Sequence, residues 1–135
     1  MSIEGGCYCG AVRYKSEGPV LMKAECFCRE CQYITGGGSL LIMAVPLEGF
    51  ALTKGAVKGY ARTDIEGAVT REFCPDCGTH LFTRAPAFKA GIIIKVGSLD
   101  DQSQFDGPDT ANFACDARPY HRLPTDIPVF QKWGR

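Results

Sequence analysis

The sequence predicts a mainly β protein that forms one domain with a single short helix. Short apolar runs, some alternating and some continuous, recur between turn signals along most of the chain, which is typical of strands. Sixteen glycines and eight prolines separate these runs, and both residues favour chain reversal. The chain has 135 residues and a hydrophobic content of 45%, which fits one globular domain with a substantial core. We therefore expect residues 1–135 to form one domain.

The expected strands follow the apolar runs in chain order. They cover residues 11–15, 21–26, 39–45, 50–53, 58–62, 69–73, 80–83, 91–96 and 110–114. Residues 29–35 form the one segment that resembles a helix. The last segment, residues 116–135, contains three prolines, and Val129, Phe130 and Trp133 provide apolar surface to bury. We expect this segment to be extended and docked on the domain.

Charge and hydropathy exclude several classes of partner. Fifteen basic residues balance fifteen acidic residues, and no run of one sign indicates binding to nucleic acid or to an anionic membrane. The longest apolar stretches, such as residues 40–45, are far too short to span a bilayer. Residues 1–6 contain neither the basic region nor the apolar region of a secretory signal. We expect a soluble protein of the cytoplasm.

Seven of the eight cysteines occur in three tight clusters, and Cys115 stands alone. The clusters are Cys7-x-Cys9, Cys26-x-Cys28-x-x-Cys31 and Cys74-x-x-Cys77. A disulfide framework would require an oxidising compartment, whereas thiols persist in the cytosol and bind zinc at about 2.3 Å in tetrahedral geometry. The spacing therefore favours metal ligands over disulfides.

The first and last clusters have the spacing of a chelating set. Strand side chains alternate between faces, so a strand through Cys7-x-Cys9 would project both sulfurs to one side. Cys74-Pro75-Asp76-Cys77-Gly78 is typical of a zinc knuckle, in which the glycine supplies the positive φ that closes the turn. Gly10 after Cys9 indicates a second tight turn. Four thiolates would form a closed, structural zinc site.

Cys26, Cys28 and Cys31 then form a group of three. Three protein ligands with one open position are the usual arrangement of a catalytic zinc, which favours deprotonation of a bound water or thiol. A different partition is also compatible with the spacing. In it, Cys28-x-x-Cys31 joins Cys74-x-x-Cys77 in a zinc ribbon, and the other three cysteines have no evident role. Spacing alone leaves both partitions open.

Four motifs in this order resemble those of the glutathione-dependent formaldehyde-activating family. They are Cys7-Tyr8-Cys9-Gly10-Ala11-Val12-Arg13-Tyr14, Cys26-Phe27-Cys28-Arg29-Glu30-Cys31, Arg71-Glu72-Phe73-Cys74-Pro75-Asp76-Cys77-Gly78-Thr79-His80-Leu81-Phe82 and Val96-Gly97-Ser98-Leu99-Asp100-Asp101. The resemblance spans about residues 5–133. It implies an antiparallel β-sandwich-like fold of the Mss4-like type. It also implies two zinc ions, a structural one held by Cys7, Cys9, Cys74 and Cys77 and a catalytic one held by Cys26, Cys28 and Cys31.

The activity implied by the resemblance joins formaldehyde to glutathione as S-(hydroxymethyl)glutathione, the reverse of a carbon-sulfur lyase reaction. The glutathione sulfur would enter the open position of the second zinc as a thiolate and attack the aldehyde carbon, and the zinc would also polarise the aldehyde oxygen. Another aldehyde or thiol is a possible substrate. The alternative is a scaffold or binding module of the same fold in which both ions are structural. Thiol-disulfide exchange through Cys74 and Cys77 is a third, weaker interpretation, because no βαβ pattern surrounds the pair.

Three further residues have more than one interpretation. Cys115 is expected to be a buried small hydrophobe rather than a fourth ligand. His80 is expected to be an ordinary strand histidine rather than a partner of the four-cysteine site. His121 is expected to be solvated, with a position facing the cleft beside Arg118 as the alternative. Glu30 is also expected to be solvated.

Two expectations concern substrate and assembly. Arg29 is expected to be solvated, with attraction of the glutathione carboxylates as an alternative role. The three glycines at residues 36–38 are expected to form a turn rather than a close approach to a ligand. Edge strands in so small a chain make a dimer possible without fixing it.

Overall fold

The computed structural model describes residues 2–134, so Met1 and Arg135 lie outside the described residues. The described chain forms ten strands and one α-helix. In chain order the elements are β1 Ser2–Gly6, β2 Arg13–Glu17, β3 Met22–Cys26, α1 Arg29–Thr35, β4 Leu40–Pro46, β5 Phe50–Lys54, β6 Lys58–Tyr60, β7 Thr70–Phe73, β8 His80–Arg84, β9 Gly91–Lys95 and β10 Thr110–Asn112. Three short 3-10 turns follow β9 and flank β10, at Val96–Ser98, Gln102–Gln104 and Ala114–Asp116.

The strands form two sheets. The smaller sheet has the order β1-β2-β5, and the larger has the order β10-β3-β4-β9-β8-β7-β6. Neighbouring strands run antiparallel except β10 and β3, which are parallel. The predicted fold class, a mainly antiparallel β sandwich with one short helix, is confirmed. The helix has the predicted bounds, and no helix among residues 2–134 is long and apolar enough to cross a membrane.

Strand β1 was not expected from the sequence. It pairs with β2, with Ile3 opposite Ser16, and Ile3 is fully buried. A Cβ atom at Gly5 would lie 2.3 Å from the carbonyl oxygen of Ser98 and 2.4 Å from the Tyr14 hydroxyl, so this position requires glycine. Its sequence, SIEGG, offers one large apolar side chain and two glycines, which explains why periodicity did not reveal it.

The core lies between the two sheets. Pairs across the larger sheet, Met43 with Ile94 and Val45 with Ile92, place their side chains on one face. These side chains pack with Ile3, Val12, Tyr14 and Phe82 in a single buried cluster. The Tyr14 ring meets Phe82 edge-on at 5.1 Å, and its hydroxyl bonds Ser98 Oγ at 2.8 Å. One face of the larger sheet is therefore covered by the smaller one.

The opposite face of the larger sheet carries a different set of residues. The strand register places Cys26 opposite Leu40, Ile42 opposite Lys95, and Ile93 and Arg71 each opposite Thr83. Residues that oppose one another across antiparallel strands share a face. Cysteine, apolar and basic side chains thus line one side of the sheet, away from the main core.

The described part of the C-terminal segment docks beside β10, as expected. Ala111 N–H donates to Pro128 O at 3.0 Å, and Phe130 N–H donates to Ala111 O at 2.9 Å. Phe113 N–H donates to Lys132 O at 3.1 Å, and Gly134 N–H donates to Asn112 Oδ1 at 2.9 Å. These hydrogen bonds bring Trp133 to the edge of the face described above, although the residue remains 40% exposed.

Candidate metal centres and the adjoining cavity

Four cysteines from two turns converge at one site. Cys7 and Cys9 lie in the turn between β1 and β2, and Cys74 and Cys77 lie in the turn between β7 and β8. Their four Sγ atoms lie within 4.8 Å of one another. Cys7 Sγ is 3.7 Å from Cys9 Sγ, which in turn is 3.8 Å from Cys74 Sγ. The expectation that Cys7-x-Cys9 lies on a strand was wrong.

A turn, rather than the side-chain alternation of a β-strand, brings the sulfurs of Cys7 and Cys9 together. Gly10 adopts a φ of 81°, and its N–H donates to Cys7 O at 3.1 Å, so the chain reverses directly after Cys9. Gly78 adopts a φ of 76° and closes the second turn through a bond of 2.9 Å from its N–H to Cys74 O. The two glycines allow the backbone curvature that wraps each pair of thiols around one point.

The donors around these sulfurs suit thiolates. Val12 N–H donates to Cys7 Sγ at 3.2 Å, and Asp76 N–H donates to Cys74 Sγ at 3.4 Å. The Thr79 hydroxyl lies 3.1 Å from Cys77 Sγ and is the main cause of a Cys77 pKa lowered to about 6. Hydrogen bonds to the charged form of a group favour that form. Four gathered thiols with such donors fit a tetrahedral zinc ion.

The other three clustered cysteines form a separate group at the start of α1. Cys26 ends β3, Cys28 is the N-cap of α1 and Cys31 lies in its first turn. Their Sγ atoms lie within 4.8 Å of one another, with 3.2 Å between those of Cys28 and Cys31. Cys28 and Cys31 are therefore grouped with Cys26, and the zinc-ribbon partition with Cys74 and Cys77 does not occur.

The group of three has no fourth protein donor among residues 2–134. No histidine, carboxylate or further cysteine there completes the cluster. Cys115 is exposed, against expectation, with its Sγ 3.9 Å from Asp116 Oδ1. Close contacts with the thiols of Cys26 and Cys31 lower the pKa of Cys28. Three soft sulfur donors fit a zinc ion that would lack one protein ligand for tetrahedral coordination.

A cavity of about 490 Å³ adjoins this group. All three cysteines line it, together with residues of the uncovered sheet face and of the docked C-terminal segment. Most of its surface is apolar, and its large apolar lining residues include Leu40, Ile42, Ile65, Ile93, Phe113 and Trp133. A largely apolar pocket with a few polar groups is typical of a small-molecule site.

An ion-pair network borders the cavity. Arg71 donates to Glu30 at 2.9 Å, and Arg62 lies 3.6 Å from Glu30 and 2.8 Å from Asp64. Glu30 is therefore ion-paired rather than only solvated, which the sequence did not reveal. Arg29 is exposed as expected, and its guanidinium donates to Gln32 Oε1 at 2.6 Å.

Lys95 is a cavity residue that the sequence analysis did not single out. It ends β9, its residue is 5% exposed, and its Nζ donates a short hydrogen bond to Thr83 Oγ1. Burial, followed by repulsion from Arg71, lowers its pKa to about 8. The sequence feature that could have revealed Lys95 is its position within the apolar run Ile92-Ile93-Ile94-Lys95-Val96. A charge within a continuous apolar strand is rarely buried without a partner.

The two histidines have structural positions. His121 Nδ1 accepts from Arg118 N–H at 2.8 Å, which leaves Nε2 to donate to Gly37 O at 2.6 Å. This bond joins the C-terminal segment to the turn at residues 36–38, and His121 does not line the cavity. His80 lies on β8, where its ring packs 5.4 Å from Phe73, and its buried Nδ1 has no hydrogen-bond partner among the described residues.

Comparison with known proteins points to one family. The family model described as "Glutathione-dependent formaldehyde-activating enzyme" matches residues 2–116. A Halomonas elongata protein named "Putative glutathione-dependent formaldehyde-activating enzyme" is 34% identical over 95 residues, covering 64% of this chain. The match spans only 58% of that relative's length. A crystal structure of a Rhodobacter sphaeroides protein is similar to this one, with a TM-score of 0.60 at 19% sequence identity.

The structural similarity to the Rhodobacter protein covers 78% of this chain and 97% of the Rhodobacter chain. At 19% sequence identity it supports the fold alone. The family match is stronger because it runs from β1 to the last 3-10 turn and includes all seven clustered cysteines. The protein therefore belongs to the glutathione-dependent formaldehyde-activating enzyme family.

Proposed function

We propose that the protein joins formaldehyde to a thiol, with glutathione as the first candidate, to give the S-(hydroxymethyl) adduct. This is a carbon-sulfur lyase reaction in reverse. One observation carries the proposal: three gathered thiols, without a fourth protein donor among the described residues, line a cavity large enough for a small molecule. The family relationship supplies the substrate class.

The two cysteine groups would have different roles. Cys7, Cys9, Cys74 and Cys77 would hold a structural zinc, since four thiolates complete a tetrahedron. Cys26, Cys28 and Cys31 would hold the second zinc. When bound, that ion would favour the deprotonated form of a thiol at its fourth position. All eight cysteines are free thiols, as metal binding in a reducing cytoplasm requires.

The chain's own residues would bind and shield the reactants. The apolar side chains of Ile42, Ile93 and Phe113 line the cavity and would reduce the water around a bound substrate, which would strengthen electrostatic interactions there. Arg29 and Arg62 are exposed residues that also line it. Arg62 already makes two hydrogen bonds to Asp64, so the Arg29 guanidinium is better suited to a carboxylate of a peptide thiol such as glutathione. The tripeptide would thus place its charged ends near the mouth and its sulfur near the cysteines.

Exchange NMR with ¹³C-formaldehyde tests this function. Formaldehyde and glutathione combine without a catalyst, so the measured quantity is the exchange rate between hydrated formaldehyde and the adduct. We expect zinc-loaded protein at micromolar concentration to raise this rate at least about a hundredfold above buffer. Cys115→Ser is the matched control, because Cys115 is exposed and belongs to neither group. It should retain the full rate. An unchanged exchange rate with wild-type protein would contradict the proposed function.

A further inference from the structure

Lys95 is a buried cation that lines the cavity. Its residue is 5% exposed, and no carboxylate among residues 2–134 lies within ion-pair distance of Nζ. Burial of an ammonium without a counter-charge is costly, so such groups are normally paired. The neighbouring cation Arg71 differs, because Glu30 pairs with it. The negative charges that attract the Lys95 ammonium are the thiolates of Cys26, Cys28 and Cys31, and no anion among the described residues accepts a hydrogen bond from its Nζ.

The Lys95 ammonium has N–H donors that no protein group among the described residues accepts. An ammonium carries three N–H groups, and the Thr83 hydroxyl accepts one of them. Ile42, directly opposite on β4, and Ile93, on the same strand, offer no acceptor. Lys95 nevertheless lines the same cavity as Cys26, Cys28 and Cys31. The Thr83 hydroxyl fixes the position of the Lys95 ammonium among apolar neighbours. Its remaining N–H groups are therefore suited to bind an anion that enters the cavity.

We propose that Lys95 is the oxyanion-binding and proton-donating residue of this cavity, with its ammonium bound to the substrate oxygen on which negative charge develops. That this substrate oxygen is the oxygen of formaldehyde rests on the proposed function. Preorganised donors at the position of a developing charge are among the largest contributors to catalysis. The apolar walls increase the strength of this contact.

The chemical step balances without an oxidant or reductant. The thiol gives its proton to water, and its sulfur forms a bond to the aldehyde carbon. The π electron pair of the carbonyl moves to oxygen, which then takes a proton from Lys95 Nζ to form the hydroxymethyl group. The neutral Lys95 amine regains a proton from water. The net reaction is the addition of one thiol to one formaldehyde.

Anion binding can be measured without catalysis, because Trp133 is the single tryptophan of the chain and lines the cavity. Formate is the probe, and the emission of Trp133 in the zinc-loaded protein is the signal. We expect saturable formate binding by wild-type protein and at least about tenfold weaker binding by Lys95→Met, since hydrogen bonds between charged groups are stronger than neutral ones. Methionine has a similar length and suits a buried site, so the variant should fold.

Two further variants separate charge from position. Lys95→Arg keeps a cation and should retain most of the formate binding. Lys54→Met makes the same change at an exposed residue of β5, on the other sheet, and should bind formate as wild type does. Equal binding by Lys95→Met and wild type, or no saturable binding by wild type, would overturn the proposal.

Kinetics provide the second readout. We expect Lys95→Met to lower kcat by about a hundredfold, the usual cost of removing one oxyanion donor, while the KM for glutathione changes less than about twofold. Its zinc content by native mass spectrometry should equal that of wild type. A kcat within about threefold of wild type would overturn the catalytic role. Lysine-dependent formate binding in a protein that does not act on formaldehyde would instead uphold the anion site and reject the proposed function.

Discussion

Cys77→Ser is expected to leave the protein unfolded or aggregated, the largest effect of any single substitution considered. Cys77 belongs to the group that joins the β1–β2 turn to the β7–β8 turn, and its members Cys9 and Cys74 are 65 residues apart in sequence. Structural zinc contributes about 10–16 kcal/mol to folding in zinc-finger peptides, whereas a whole domain is stable by about 5–15 kcal/mol. Loss of one ligand therefore removes an interaction comparable to the total stability.

Thermal unfolding followed by circular dichroism measures this effect. Wild-type protein should melt cooperatively, and Cys77→Ser should show no cooperative transition. Cys115→Ser is the control for loss of a thiol as such, because that side chain is exposed and outside both groups. A Cys77→Ser melt within a few degrees of wild type would mean that the four-thiol group is not a structural metal site.

Cys28→Ser is expected to remain folded while it loses the second metal and glutathione binding. Cys28 is the N-cap of α1, and its Sγ accepts the N–H of Cys31 at 3.3 Å. Serine is a favourable N-cap residue, so the hydroxyl can replace this contact and keep the start of the helix. Only two of the three thiol ligands would remain, too few to hold the ion. Catalysis should fall to the uncatalysed rate.

The melting temperature of Cys28→Ser should lie within about 5 °C of wild type, corresponding to about 1 kcal/mol for a domain of this size. Its metal content should fall from two ions to one. If Cys28→Ser were as damaging to folding as Cys77→Ser, the division into a structural site and a catalytic site would be wrong.

Local sequence signals predicted much of the fold. The helix at Arg29–Thr35 begins after an N-capping cysteine and ends at Gly36, whose φ of 83° stops it. Strands such as β4 were visible because their apolar runs are long. β1 was missed because it has a single large apolar side chain, and its glycines are explained only by the approach of Ser98 and Tyr14. Such an approach is a tertiary property that periodicity does not contain.

The candidate site was predicted in part. The thiols within each chelating pair are close in sequence, so their spacing revealed them, and the resemblance to a family supplied their grouping. Lys95, Thr83 and Arg71 come together only through the register of β7, β8 and β9. The Glu30–Arg71 pair likewise joins residues 41 positions apart. Cys115 looked like a core residue by type, yet the docked C-terminal segment leaves it exposed.

Native mass spectrometry of the zinc-loaded protein, with and without glutathione, tests the central claim most directly. That claim is one closed metal site and one that accepts a substrate thiol. The account predicts two zinc ions per chain, one of them readily removed by a mild chelator, and one glutathione bound only while that second ion is present. Two ions that resist the chelator equally and ignore glutathione would contradict it and would favour a binding module with two structural metals.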